Sequence, residues 1–189
     1  MLLFDDNTPH TVLDGELGTV RYFPECVPRE TAQRWFDVLL AAVPWSAQRR
    51  RMYDRDVDVP RLTAGYDLDA ASPPAPILDA RAIAERLAAH RFNSVGLNLY
   101  RDGNDSVAPH NDKLHELVAG APIALFSLGA TRRFALRTKA APRRHLDFDL
   151  APGSLLVMSY ATQLHLDHGV PKTRVPVDKR MSLVFRERP

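Results

Sequence analysis

The chain is nearly without cysteine. Cys26 stands alone, which excludes an internal disulfide and a zinc site built from several thiolates. No apolar run reaches the length of about 18 residues that a membrane-crossing helix needs, so no span is expected. Met1–His10 carries Asp5 and Asp6 and lacks a basic stretch followed by an apolar one, so it does not read as a secretory signal. A reducing cytoplasm is the expected compartment. Neither charge dominates: 25 Lys and Arg face 23 Asp and Glu, a net +2, so total charge does not announce a nucleic-acid binder. There is no internal repeat and no low-complexity tract. What is present is ordinary for one soluble domain: 189 residues, 45% hydrophobic and 25% charged. Nothing suggests a long apolar interface, so no obligate protein partner is expected.

Basic residues are clustered. Arg49-Arg50-Arg51, Arg132-Arg133 and Arg143-Arg144 are local groups able to meet phosphates, although any one such group is more often a solvated face.

The pattern along the chain changes once. Residues 1–24 read as short strands and turns. Pro28 opens a helical pattern to about Val43, with Trp35, Val38, Leu39 and Ala42 at helical spacing, and Pro44 ends it. Residues 46–76 are polar and rich in arginine and proline, with 72–76 as an extended linker. A second helix is expected over Asp79–His90, capped by Asp79, with Ile83, Ala84 and Leu87 facing inward. From Asn93 onward, strand-like runs at 94–101, 123–129, 133–139, 145–150, 154–160 and 179–187 alternate with turns. Closely spaced short strands indicate a sandwich or jelly roll. The expected organisation is one domain over 1–189. Residues 1–92 would form helices and loops on one side of a β core at 93–189.

Within that core, His110 and Asp112 are alternate residues of an extended stretch, so both can reach one ion. His165 and His168 are candidates for a third ligand. Two histidines and one carboxylate leave coordination positions open for a co-substrate and O2, the arrangement of non-haem iron(II) oxygenases. In the last strand Arg180, Ser182, Val184 and Arg186 share one face, and Met181, Leu183 and Phe185 share the other. An arginine pointing inward needs a buried anion. A dicarboxylate co-substrate would supply it, gripped by Arg180 in a bidentate pair, with Tyr100 adding a hydroxyl and Asn98 on the same face. Arg186 would pair with Asp112 or with the carboxylate nearest the metal.

These residues resemble the AlkB family of iron(II)- and 2-oxoglutarate-dependent dioxygenases, over roughly 56–188. The resemblance rests on 98–103, His110-Asn111-Asp112, 127–132, 152–158, His168-Gly169-Val170-Pro171 and 180–186. It implies His168 rather than His165 as the distal ligand. It assigns Asn98, Tyr100, Arg180, Ser182 and Arg186 to the 2-oxoglutarate pocket. The fold it implies is a double-stranded β-helix, a form of jelly roll, with an N-terminal lid that grips nucleic acid. The activity it implies is oxidative demethylation of alkylated DNA or RNA bases. Iron(II), 2-oxoglutarate and O2 yield succinate, CO2 and a hydroxymethyl base that releases formaldehyde. The target base must leave its stack to reach the metal. Tyr66, Arg61, Leu114 and Arg49, Arg50 and Arg51 are the substrate contacts expected on this basis.

The chain departs from the family at several points. Leu114 stands where repair members usually carry a carboxylate that accepts from the base's amine. Gly65 replaces a usual tryptophan, Asp67 a usual glycine, and Ser182 a common asparagine. Leu114 favours an alternative with the same iron chemistry on a modified RNA base, a protein side chain or a small metabolite. A catalytically idle jelly-roll binding module is opposed by the complete set His110, Asp112, His168, Arg180 and Arg186, since a retired site has no reason to keep buried charges.

Overall fold

The computed structural model describes residues 7–52 and 55–189, and for 50–52 and 55–58 the backbone only. In chain order the elements are β1 (His10–Leu13), β2 (Val20–Phe23), α1 (Arg29–Ala42), β3 (Ser46–Met52), β4 (Arg55–Asp67), α2 (Ala75–Ala88), β5 (Ser94–Tyr100) and β6 (Val107–His110). A 3-10 turn at Leu114–Glu116 follows. Then come β7 (Ile123–Gly129), β8 (Arg132–Thr138), β9 (His145–Leu150), β10 (Ser154–Met158), α3 (Tyr160–His165), β11 (Leu166–Val170) and β12 (Arg180–Arg186). The strands form two antiparallel sheets. One has the order β1-β2-β10-β7-β12-β5-β4-β3 and the other β6-β11-β8-β9. This is the expected jelly roll.

Period-2 alternation splits the apolar residues between two cores. Met181, Leu183 and Phe185 of β12 pack with Leu97, Leu99 and Phe126 beneath Leu39 of α1 and Ile77 of α2. Val184 joins Leu125, Leu156, Phe134, Phe148 and Val170 between the sheets. The alternate residues Arg180 and Ser182 therefore enter the space between the sheets, where both are buried. The β5 partners are in matching register, Arg180 opposite Tyr100 and Ser182 opposite Asn98.

In the N-terminal part, β1 and β2 fall within the stretch read as short strands, whereas β3 and β4 and the membership of all four in the larger sheet were not expected. This part supplies β1–β4 to the larger sheet, with β2 paired to β10 and β4 to β5, as well as two helices. Within the stretch read only as polar and rich in arginine and proline, β3 and β4 pair antiparallel. Ser46–Met52 has no apolar alternation because β3 is an edge strand, held by main-chain pairing to β4 alone. The second helix begins at Ala75, with Pro74 as its N-cap residue. Proline in a first turn lacks only an amide that would be unpaired anyway. Asp79 is therefore an exposed position within the helix and not its cap. Ala84 is buried, and Ile83 and Leu87 are partly buried against the same core.

Gly129 ends β7 at φ 76°, opposite Arg180. A Cβ there would meet the Phe36 ring at 2.8 Å. Gly129→Ala is expected to destabilise the fold by about 1–3 kcal/mol through the left-handed backbone and this contact, read as a lower denaturant midpoint.

Candidate metal and co-substrate site

The smaller sheet brings the metal candidates together. His110 ends β6 and His168 lies in β11, and the two are cross-strand partners. Their ring centroids are 4.5 Å apart. Asp112 follows in the next turn. One ligand atom from each of His110, Asp112 and His168 lies within 4.8 Å of the others.

Each ligand is held from behind. Nδ1–H of His110 donates to the Ala108 carbonyl at 2.9 Å, which leaves Nε2 free to bind a metal. His168 stacks on Phe134, with centroids 5.8 Å apart and planes 16° apart. Burial, reinforced by the neighbouring His110, pushes its pKa down to about 4, so the imidazole is neutral at physiological pH with a lone pair available. Nε of Arg186 donates to Asp112 Oδ2 at 2.8 Å. Burial alone would raise the Asp112 pKa. The Arg186 charge and hydrogen bond, with the two histidines, outweigh it and hold the carboxyl below the usual range. The main-chain amide of Asp112 donates to Gln163 Oε1 at 3.0 Å, and Gln163 is buried in α3.

The larger sheet supplies a second, contiguous set. Arg180 is 0% exposed. Its Nε donates to Ser127 Oγ at 3.2 Å, and its guanidinium carbon lies 5.1 Å from the Tyr100 ring centre. Nη1 and Nη2 are both buried without a partner. A buried cation with two unpaired donors is costly unless an anion completes it, so the site fits the far carboxylate of 2-oxoglutarate. Asn98 Nδ2 donates to Ser182 Oγ at 3.3 Å on the same face.

A cleft of about 610 Å³ opens over His110 and Asp112, with His168 buried behind them. Its lining includes His110, Asp112, Arg61, Arg186, Lys113 and Arg188. Arg61 joins the two sets: it lines the cleft, and its Nε donates to Asn98 Oδ1 at 2.7 Å.

Other expected residues fall elsewhere. Tyr66 pairs with Val95, a helix-side position, and packs partly buried against the helix-side core. Its ring therefore lies on the sheet face away from the site and not at the cleft. Gly65 is on the cleft face, opposite Gly96. Leu114 is half-buried in the 3-10 turn just after the triad. Arg49 is exposed on β3, and the side chains of Arg50 and Arg51 lie outside the described residues. His165 is exposed at the end of α3, away from the cluster. Arg132 is buried, which removes it from a phosphate-binding surface, whereas Arg133, Arg143 and Arg144 are exposed. Gln163 and Ser127 were not anticipated as supports. Gln163 sits in the same short segment as the histidines, and Ser127 belongs to one of the stretches that carry the family resemblance.

The family model described as the 2OG-Fe(II) oxygenase superfamily matches residues 19–186. The chain belongs to this superfamily, in its AlkB family. DNA oxidative demethylase ALKBH2 of Bos taurus is 32% identical over 194 residues, covering 96% of this chain and 68% of that protein. The Homo sapiens ALKBH2 is 32% identical over 191 residues, covering 94% and 72%. Alpha-ketoglutarate-dependent dioxygenase alkB homolog 3 of Rattus norvegicus is 32% identical over 189 residues, covering 90% and 64%. The solved structure of OsALKBH1 superposes with a TM-score of 0.57 at 13% identity, covering 89% of this chain and 96% of that one, a likeness of fold. The AlkB-family chain is a 2-oxoglutarate-dependent dioxygenase that uses iron(II), 2-oxoglutarate and O2, and the His-Asp-His triad is its candidate metal site.

Proposed function

We propose that this dioxygenase removes alkyl groups from bases of DNA or RNA by oxidation. The observation that carries the reading is a three-ligand metal cluster whose His110 and Asp112 line a cleft and whose Asp112 pairs with Arg186 of β12, the same strand that buries the Arg180 guanidinium with no hydrogen-bond partner for Nη1 or Nη2 among the described residues. The nucleic-acid substrate is supported by similarity to proteins named for DNA demethylation. It is also supported by the exposed Arg133, Arg143 and Arg144 on the β8–β9 hairpin.

Bound iron supplies the activation of O2, coupling conversion of 2-oxoglutarate to succinate and CO2 with insertion of one oxygen atom into a substrate C–H bond. The chain's own side chains arrange the reactants. His110 through Nε2, the Asp112 carboxylate and His168 would hold the ion, a set of three ligands that leaves coordination positions for co-substrate and O2. Arg180 anchors the keto acid by its far carboxylate, and Asn98 and Ser182 line the same row. Arg186 orients Asp112 and keeps it ionised. The target base must rotate out of its stack to enter the cleft, while basic residues around it hold phosphates in a salt-sensitive manner.

Succinate release measured with methylated and unmethylated oligonucleotides tests this. Stimulation specific to the methylated strand is expected, weakening as salt rises. Absence of stimulation by any methylated oligonucleotide would remove the nucleic-acid reading and leave the oxygenase intact. The alternative, the same chemistry on a modified RNA base, a protein side chain or a metabolite, is favoured by Leu114, an apolar side chain unable to accept a hydrogen bond from a base amine.

A further inference from the structure

We propose that Arg132 is a positioning residue that holds the two metal-bearing strands in register and orients Tyr100 for the keto acid. Arg132 opens β8 and is 4% exposed. Its Nη1 donates to the Asp102 carbonyl at 2.9 Å. Its Nη2 donates to the Asp105 carbonyl at 2.9 Å and to the Pro171 carbonyl at 2.8 Å. Its guanidinium carbon lies 5.7 Å from the Tyr100 ring centre.

The location of these partners gives the contacts their meaning. Asp102 and Asp105 belong to the loop that leads into β6, the strand that delivers His110 and then Asp112. Pro171 immediately follows β11, the strand that carries His168. One buried cation thus ties the approach to the first two ligands to the exit from the third. Tyr100, the ring it faces, also lies 5.1 Å from the Arg180 guanidinium carbon, so Arg132 and Arg180 both bear on the ring beside the co-substrate anchor.

The Asp105 carboxylate is hydrogen-bonded by Arg101 rather than by Arg132, although its charge, with that of Asp102, still favours the buried Arg132 cation. Nε and Nη2 of Arg101 bond to that carboxylate at 2.8 and 2.9 Å, and the Arg101 amide at 2.8 Å. Arg132 is therefore satisfied by carbonyl dipoles converging from two loops. A planar fork with a flat face can bond in several directions and lie against a ring at once, whereas a lysine ammonium cannot do both. The loops also share a main-chain hydrogen bond, from the Thr173 amide to the Gly103 carbonyl at 2.9 Å. Loss of Arg132 would loosen the pair without separating it.

The test uses full-length Arg132→Gln and Arg132→Lys, with Leu39→Ala as a control. Leu39 lies on the buried face of α1 in the helix-side core, on the other face of the larger sheet from Arg180 and Ser182. Cobalt(II) binding is read from its visible absorption, and the 2-oxoglutarate KM and kcat from succinate release. Arg132→Gln is expected to weaken cobalt binding and raise the 2-oxoglutarate KM by about tenfold or more, the scale of losing support behind a ligand. Arg132→Lys should fall between it and the native chain. Leu39→Ala should melt lower yet bind cobalt and 2-oxoglutarate with native constants. Arg132→Gln that melts lower while keeping native cobalt and 2-oxoglutarate constants would show a structural residue only and overturn the proposal. Should Arg132→Gln not fold, native constants in Arg132→Lys overturn it equally.

Discussion

Replacing His110 with alanine is expected to abolish succinate formation from 2-oxoglutarate in the absence of substrate, while the melting temperature stays near that of the native chain. The loss should exceed about 100-fold, the upper end of what removing a mere supporting contact costs. Stability is spared because the His110 side chain is exposed to the cleft, and its ring hydrogen bond goes to a carbonyl on its own strand. Asp112→Ala should give the same loss of turnover with a different stability. There the Arg186 side chain, 16% exposed, keeps its charge and loses the carboxylate, at a cost of about 1–3 kcal/mol. Measuring turnover and melting on both variants separates ligand loss from unfolding. Turnover that survives both changes would mean that the metal is held elsewhere.

Arg180→Ala is expected to raise the KM for 2-oxoglutarate by about 100-fold, with a smaller change in kcat. Removing a charge-assisted bidentate contact is worth about 3 kcal/mol, and each 1.4 kcal/mol is about tenfold. The carboxylate Arg180 would hold is remote from the bond that breaks, so its contribution is to binding shared by ground and transition states. Arg180→Lys keeps a charge but not the fork and should recover part of the affinity. An unchanged KM in Arg180→Ala would place the keto acid's far carboxylate on other residues.

Several parts of this architecture were readable from residue order because they obey a strict period. Along β12, arginine and serine alternate with methionine, leucine and phenylalanine, and a strand permits only one arrangement of those two sets. The same rule placed His110 and Asp112 within reach of one ion. The β3–β4 hairpin was not readable, since an edge strand exposed on both faces has no reason to alternate. The start of α2 was hidden by prolines, which suit a helix's first turn as well as a linker. Gln163 left no spacing signature, because a side chain that accepts from a main-chain amide can sit anywhere the chain passes close. The Arg132-Arg133 doublet reads as a surface cluster, yet adjacent residues of a strand point to opposite faces. One of the two had to face inward once β8 was a strand, and Arg132 is that one.

His110 lies at the end of a four-residue strand on the edge of the smaller sheet, paired on one side only. Fraying begins at short edge strands and requires no global unfolding. If β6 peels from β11, His110 departs, while His168 stays paired to β8 and Asp112 stays held by Arg186 and Gln163. Exchange of a bound ion is thereby expected to follow local opening of this edge strand. The lifetime of the loaded enzyme against a chelator is then expected to follow the opening of that edge rather than unfolding of the whole domain.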